Sequence, residues 1–256
     1  MAGAVLIISG LDPSGGAGFI ADVRVASEHG HRPVGVVTAL TEQDTTGVRR
    51  VEVMNSEHVS DQVRALLSDI EVAAVKIGML GSLAMCEALE KTLALTAAPV
   101  VWDPIVRPSR GGVALFDGDV HGAAAALSDH LSVLTPNAAE AALLWGNAVD
   151  DRQSARAAAR DLAERYRCAA LVTGGHIAGD DAVDVLASAG ELHELTAPRV
   201  GGGSDIHGTG CALSTSLACQ LAAGTDLVDA VRAAKCYVAE RLANPARPGR
   251  GSPAVV

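Results

Sequence analysis

The chain has 256 residues, 49% hydrophobic but only 2% aromatic, which suits one large α/β domain with a core of Ala, Val and Leu. A formal net charge of −10 argues against nucleic acid or anionic membrane as partners. The densest basic stretch, Arg107 to Arg110 broken by Pro108 and Ser109, is too short for a nucleic-acid groove and reads as a solvated loop. Cys86, Cys168, Cys211, Cys219 and Cys236 are odd in number and form no CxxC pair, so reduced thiols in a cytoplasmic protein are expected. Cys168 and the others apart from Cys211 read as structural residues inside helices or strands. The opening MAGAVLIISG lacks a basic flank, is too short to span a membrane, and reads as a first strand.

In chain order, short apolar runs at Val5–Ile8, Val34–Thr38, Ala74–Ile77, Val100–Trp102, Val133–Thr135 and Ala170–Thr173 predict buried parallel strands. Between them, Val59, Val63, Leu66, Leu67 and Ile70 line one helix face. Leu83, Met85, Leu89 and Leu93 line a second, and Ala155–Tyr166 forms a third helix. Val183–Leu186 and Leu192–Leu195 predict a late β-hairpin across Ser188, Ala189 and Gly190, and Leu227–Leu242 a last helix whose Arg and Glu residues face water. The alternation predicts a doubly wound, mainly parallel sheet flanked by helices, with residues 1–256 as a single domain.

Ligands of such sheets bind beyond the carboxyl ends of the strands, which directs the chemical reading to the residues that close each run. The strongest signal is His207-Gly208-Thr209-Gly210-Cys211, a glycine turn opening into a small-residue helix. It is either an anion site built on free helix N–H groups or an ordinary glycine-rich helix start. Cys211 falls in the first helical turn, where thiol pKa values tend to drop, and reads as a base, a positioning group or a small buried residue. Ser9 to Gly18 occupies the place of a dinucleotide fingerprint. It lacks GxGxxG spacing and any acidic strand end about 20 residues later, and no Walker A loop occurs. Asp103 closes a strand, and Glu140, three residues past Asn137, reads as a Mg²⁺ ligand or a helix-start charge. His176 and His207 lack metal-ligand spacing and read as hydrogen-bonding loop residues.

Taken together, SGLDPSGGAG with Asp22, TALTEQDT, KIGML, WDPIVRPSRGG, TPNAAEA, TGGH, HGTGC and a weaker PGRGSP tail resemble the hydroxymethylpyrimidine and phosphomethylpyrimidine kinases of the ribokinase-like group. The resemblance covers nearly the whole chain. It implies ATP-dependent phosphorylation of 4-amino-5-hydroxymethyl-2-methylpyrimidine and its monophosphate in thiamine biosynthesis, with Mg²⁺ as metal and a homodimeric assembly. It also implies a pyrimidine pocket of Gly10, Ala17, Thr41, Gln43 and Met79, fixed by Asp22. Gly208, Thr209 and Gly210 become the anion hole, with Cys211 in the active site. Asn137, Thr173 and Gly175 serve the nucleotide, Asp103 and Glu140 the metal, and a flap closes over the substrate. The chain departs from the family's usual pattern at Thr173, where lysine is common, in the Glu42–Thr45 segment, and at Ser204–Ile206. Pyridoxal kinase activity and a non-catalytic pyrimidine-binding role are the competing readings, and an NAD enzyme a more distant one.

Overall fold

The computed structural model describes residues 3–107, 112–175, 181–200 and 206–256. His176, Pro108–Arg110, Ser204 and Asp205, weighed above, lie outside the described residues. Among those described, nine strands form one sheet in the order β3-β2-β1-β4-β5-β6-β7-β8-β9. The strands are β1 (Ala4–Leu11), β2 (Arg32–Asp44), β3 (Gly47–Val53), β4 (Val72–Ile77), β5 (Val100–Trp102), β6 (Val133–Leu134), β7 (Ala169–Val172), β8 (Asp181–Ser188) and β9 (Glu191–Pro198). The central pairs, from β2–β1 through β6–β7, are parallel. The β2–β3, β7–β8 and β8–β9 pairs at the two edges are antiparallel.

Each predicted strand is present, and the late hairpin is longer than its apolar centre suggested. The apolar pattern of the sequence does not predict β3. It pairs with β2 from Ala39 to Asp44, running on past Leu40, the last β2 residue paired with β1. This projecting hairpin carries Thr41 and Gln43.

Strand side chains alternate between faces, and that alternation sorts the helices into two layers. Leu6, Ile8, Val75, Ile77, Trp102 and Leu134 face the layer of α2 (Ser56–Asp69), α3 (Leu83–Leu93), α4 (Val120–Leu127), α5 (Ala138–Trp145) and α6 (Arg152–Tyr166). The opposite face packs on α1 (Gly18–Glu28), α7 (Thr209–Ala222) and α8 (Leu227–Ala243). Val101, Val133 and Leu171 meet Leu213 and Leu217 of α7 there. Alanine lets these helices approach closely, which is how a core poor in aromatic residues closes. α8 exposes Arg232 and Glu240 as expected, yet turns Lys235 inward onto Asp184. Cys86, Cys219 and Cys236 lie within helices, whereas Cys168 stands in the link between α6 and β7. No helix among the described residues is long and apolar enough to cross a membrane.

Candidate active site

The carboxyl ends of the parallel strands open into a cavity of about 270 Å³. One end lies under the β2–β3 hairpin and is lined by Gly10, Ala17, Thr41, Gln43 and Met79. The Thr38 hydroxyl donates to the Met79 carbonyl at 2.5 Å, tying β2 to the turn after β4. Val48, Ile105 and Leu115 add apolar walls. The other end is lined by Thr173, Gly175, Asp184, Lys235, Val238 and Leu242. There Lys235 Nζ lies 2.7 Å from Asp184 Oδ2, and the Gly174 N–H donates to Asp184 Oδ1 at 2.8 Å.

The start of α7 stands between the two ends. Gly208 is its N-cap, with φ of 83°, and Thr209, Gly210 and Cys211 follow it along the cavity wall. The first turn of a helix leaves N–H groups without intrahelical partners, and its dipole favours negative charge. Gly210 backs onto Asp103, since a Cβ there would stand 3.5 Å from Asp103 Oδ2.

Beneath this turn is a fully buried charged layer. Lys76 is wholly buried, with Nζ 2.6 Å from Asp22 Oδ2, while Asp22 Oδ1 accepts the Thr215 hydroxyl at 2.8 Å. Burial pulls the Lys76 pKa down, but the neighbouring carboxylates, Asp22 foremost, outweigh it and hold the ammonium charged. Asp22 does not itself line the cavity, so it could fix the pyrimidine pocket only from beneath. It points from α1 under the floor, where it neutralises Lys76. Cys211 is governed by burial rather than by its place in the helix. Burial pushes its thiol up to about 12 despite Lys76, so the helix start does not yield a ready thiolate.

Asn137 caps α5 by accepting from the Ala139 and Glu140 N–H groups, and Glu140 Oε2 accepts from the Asn137 N–H. Glu140 thus is a helix-start charge and also lines the cavity. Burial, aided by Asp103, raises its pKa well above the ordinary carboxylate range. Burial likewise lifts Asp103 to about 6, with Lys76 opposing and Asp22 adding to the rise. Two buried carboxyls that disfavour each other's charge are a setting a divalent cation relieves, so Asp103 and Glu140 fit Mg²⁺. Among the described residues no cluster of three or more His, Cys, Asp or Glu forms a metal cage. A nucleotide-borne Mg²⁺ needs only one or two carboxylates.

Apart from Asp22, every residue assigned above to the pyrimidine, the nucleotide, the metal or the anion hole lines this one cavity. Asp12, Lys76, Asp184, Lys235 and the contacts of His207 were missed. A lysine ending an apolar run offered a signal for Lys76. Asp184 and Lys235, 51 positions apart, offered none.

The family model described as phosphomethylpyrimidine kinase matches residues 12–255. A hydroxymethylpyrimidine/phosphomethylpyrimidine kinase of Streptomyces coelicolor is 41% identical over 234 residues, covering 91% of this chain and 86% of that protein. A thiamine biosynthesis bifunctional protein of Geobacter sulfurreducens is 38% identical over 256 residues, covering 97% of this chain and 51% of the other. The pyridoxal kinase of Bacillus subtilis, solved as an ADP complex, superposes with a TM-score of 0.87 at 24% identity, covering 99% of this chain and 96% of that one. At that identity the likeness speaks for the ribokinase-like fold alone.

Proposed function

Because the chain belongs to the phosphomethylpyrimidine kinase family, we propose that its cavity takes a hydroxymethylpyrimidine at the Gln43 end and ATP at the Thr173–Lys235 end. The protein is a phosphotransferase of thiamine biosynthesis, phosphorylating 4-amino-5-hydroxymethyl-2-methylpyrimidine and its monophosphate. The observation that carries the site assignment is the glycine start of α7, which lies between the two ends of one cavity.

Phosphoryl transfer is catalysed mainly by positioning and by stabilising charge on the phosphoryl oxygens. The N–H groups of Thr209, Gly210 and Cys211 supply that stabilisation, and the Lys76 ammonium adds to it from below. Gln43 and Met79 orient the ring so that its hydroxymethyl oxygen faces the phosphorus. Cys211 acts as a neutral thiol that shapes the hole. Asn137 and Thr173 orient the phosphate chain, and Lys235 offsets its charge where the family usually places a lysine at position 173. Asp103 and Glu140 would hold Mg²⁺, which would supply positive charge to the phosphate chain. The β2–β3 hairpin is the flap that excludes water.

Residues 1–256 act as a single ribokinase-like domain in this reading, supported by the continuous sheet. The protein acts in the cytoplasm as a homodimer. Exposed Leu40 and Val53 on the projecting hairpin favour that assembly.

The test is coupled ATPase turnover with Mg²⁺ and hydroxymethylpyrimidine, with pyridoxal in parallel and products identified by mass. Mono- and diphosphorylated pyrimidine is the expected outcome. Tight pyrimidine binding without ATP consumption would point to a regulatory protein instead.

A pH profile tests the carboxyl assignment. Asp103 must be ionised to hold the metal, so kcat/KM for ATP should fall roughly tenfold per pH unit below about pH 6. Stability should move the other way. The folded pKa lies above the ordinary aspartate value of 3.8, so the folded protein keeps the proton longer. This group's stabilising effect is therefore complete below that value and is lost as pH rises through about 6. Asp103→Asn should remove both trends, and an acid limb that survives it would assign the limb to another group.

A further inference from the structure

Four side chains meet at the pyrimidine end of the cavity. His207 Nε2 stands 3.0 Å from Asp12 Oδ2 and 3.2 Å from one amide atom of Gln43. The other amide atom of Gln43 stands 3.1 Å from Thr41 Oγ1, which lies 2.9 Å from the Leu11 carbonyl oxygen. The proton count along this chain has one solution.

At one end, the Leu11 carbonyl only accepts, so it takes the single proton of the Thr41 hydroxyl. Thr41 Oγ1 then has only lone pairs to offer Gln43, and the amide atom facing it must be the NH₂ group. At the other end, Asp12 is 4% exposed and accepts the Ser14 N–H on Oδ1 at 2.8 Å and the Ala17 N–H on Oδ2 at 3.1 Å. Although burial raises its pKa, those two backbone donors favour the ionised carboxylate and the value lies below the ordinary one, so Asp12 is an acceptor. His207 Nε2 must therefore carry a hydrogen, and the amide atom beside it must be oxygen. The amide as placed in the structure, with Nε2 of Gln43 towards His207 and Oε1 towards Thr41, sets donor against donor. It also gives the one Thr41 proton two acceptors, so the amide must be turned over. Moving the imidazole hydrogen to Nδ1 would relieve the first clash only by facing a ring lone pair onto Asp12. Amide oxygen and nitrogen are assigned by such networks, and here both ends give the same orientation.

We propose that His207 is a specificity-determining residue, which through Asp12 locks the Gln43 amide with its oxygen towards α7 and its nitrogen towards Thr41. One lone pair and one N–H remain for the substrate, in a fixed order. An aminopyrimidine presents an amino donor beside a ring-nitrogen acceptor and matches both. Pyridoxal, aligned on the shared methyl and hydroxymethyl groups, presents its formyl oxygen, an acceptor, where the amino group would be, opposite the fixed amide oxygen. The inference rests on Gln43 reading the ring, as in the proposed function. It extends that reading to why the site prefers the amino heterocycle. His207 also precedes the Gly208 cap, and its own backbone is held by Pro253 and Val255, so its side chain can be changed with that backbone anchored.

Two measurements test it. Side-chain ¹⁵N NMR of the substrate-free protein, with His207 assigned by its loss in His207→Gln, should show hydrogen on Nε2. An Nδ1–H tautomer would overturn the proposal whatever the protein phosphorylates. In steady-state kinetics, His207→Leu should lower the kcat/KM ratio for hydroxymethylpyrimidine over pyridoxal about 10–100-fold. The change should lie mainly in the pyrimidine KM, with the ATP KM unchanged, and His207→Gln, which keeps a donor, should recover most of it. An unchanged ratio in His207→Leu overturns the lock but leaves the kinase intact. An inactive wild-type protein overturns the functional reading and leaves the tautomer result standing.

Discussion

Lys76→Met is expected to destabilise the protein by about 3–5 kcal/mol, the usual cost of stranding one member of a buried ion pair. The ammonium is wholly buried and 2.6 Å from Asp22, whose remaining partner is the Thr215 hydroxyl. Taking it away leaves a carboxylate in the core with one neutral donor. The double variant Lys76→Met with Asp22→Leu should recover most of the loss, because it removes both charges and keeps apolar volume. Denaturant melts of the wild type, the two single variants and the double give the coupling energy directly. A Lys76→Met protein as stable as wild type would mean that Asp22 is neutral when buried. Turnover separates a second role from the first. The folded double variant should still lose kcat, on the order of 10²-fold, because a preorganised charge beneath the anion hole is gone. Full activity in that variant would make Lys76 purely structural.

The strands and their closing residues were legible because a parallel strand is apolar on both faces and must end in residues that release the chain to solvent. That local rule found Asp103, Asn137 and Thr173 and placed them on one side of the sheet. β3 was not legible. It pairs only with β2, carries exposed Arg49, Arg50 and Glu52, and its register shifts between Glu42 and Gln43. Its valines therefore follow no clean alternation.

The charges beneath the site were hidden for a different reason. Asp22 neutralises Lys76 from 54 positions away and Asp184 meets Lys235 across 51, so neither pair leaves a mark on nearby sequence. Cys211 shows the same limit. The helix-start effect on its thiol is local and readable. The burial that outweighs it comes from β1, α1 and β4 packing around α7, which no window of sequence contains.

Gly208→Ala should cut kcat by roughly 10²–10³-fold, the loss expected when an anion hole is displaced. Two effects act together. The residue sits at φ of 83°, a left-handed conformation that costs an L-residue about 1–2 kcal/mol. The added methyl would also run into the Gly16 carbonyl oxygen, a backbone atom of the loop between β1 and α1. That loop carries Asp12 and Ala17, so relief of the clash must move the start of α7 away from the substrate end of the cavity.

Gly224→Ala supplies the control. Its φ is 80°, but no atom lies within 4 Å of an added Cβ. It should lower Tm by a few degrees through strain alone and leave kcat untouched. If Gly208→Ala lowered Tm by no more than that control and kept wild-type turnover, α7 would not be where the phosphoryl group is held. The transfer site would then have to be sought around Asn137 and Thr173. A loss of kcat with the KM for both substrates little changed would instead place the damage in the transition state, as a displaced anion hole requires.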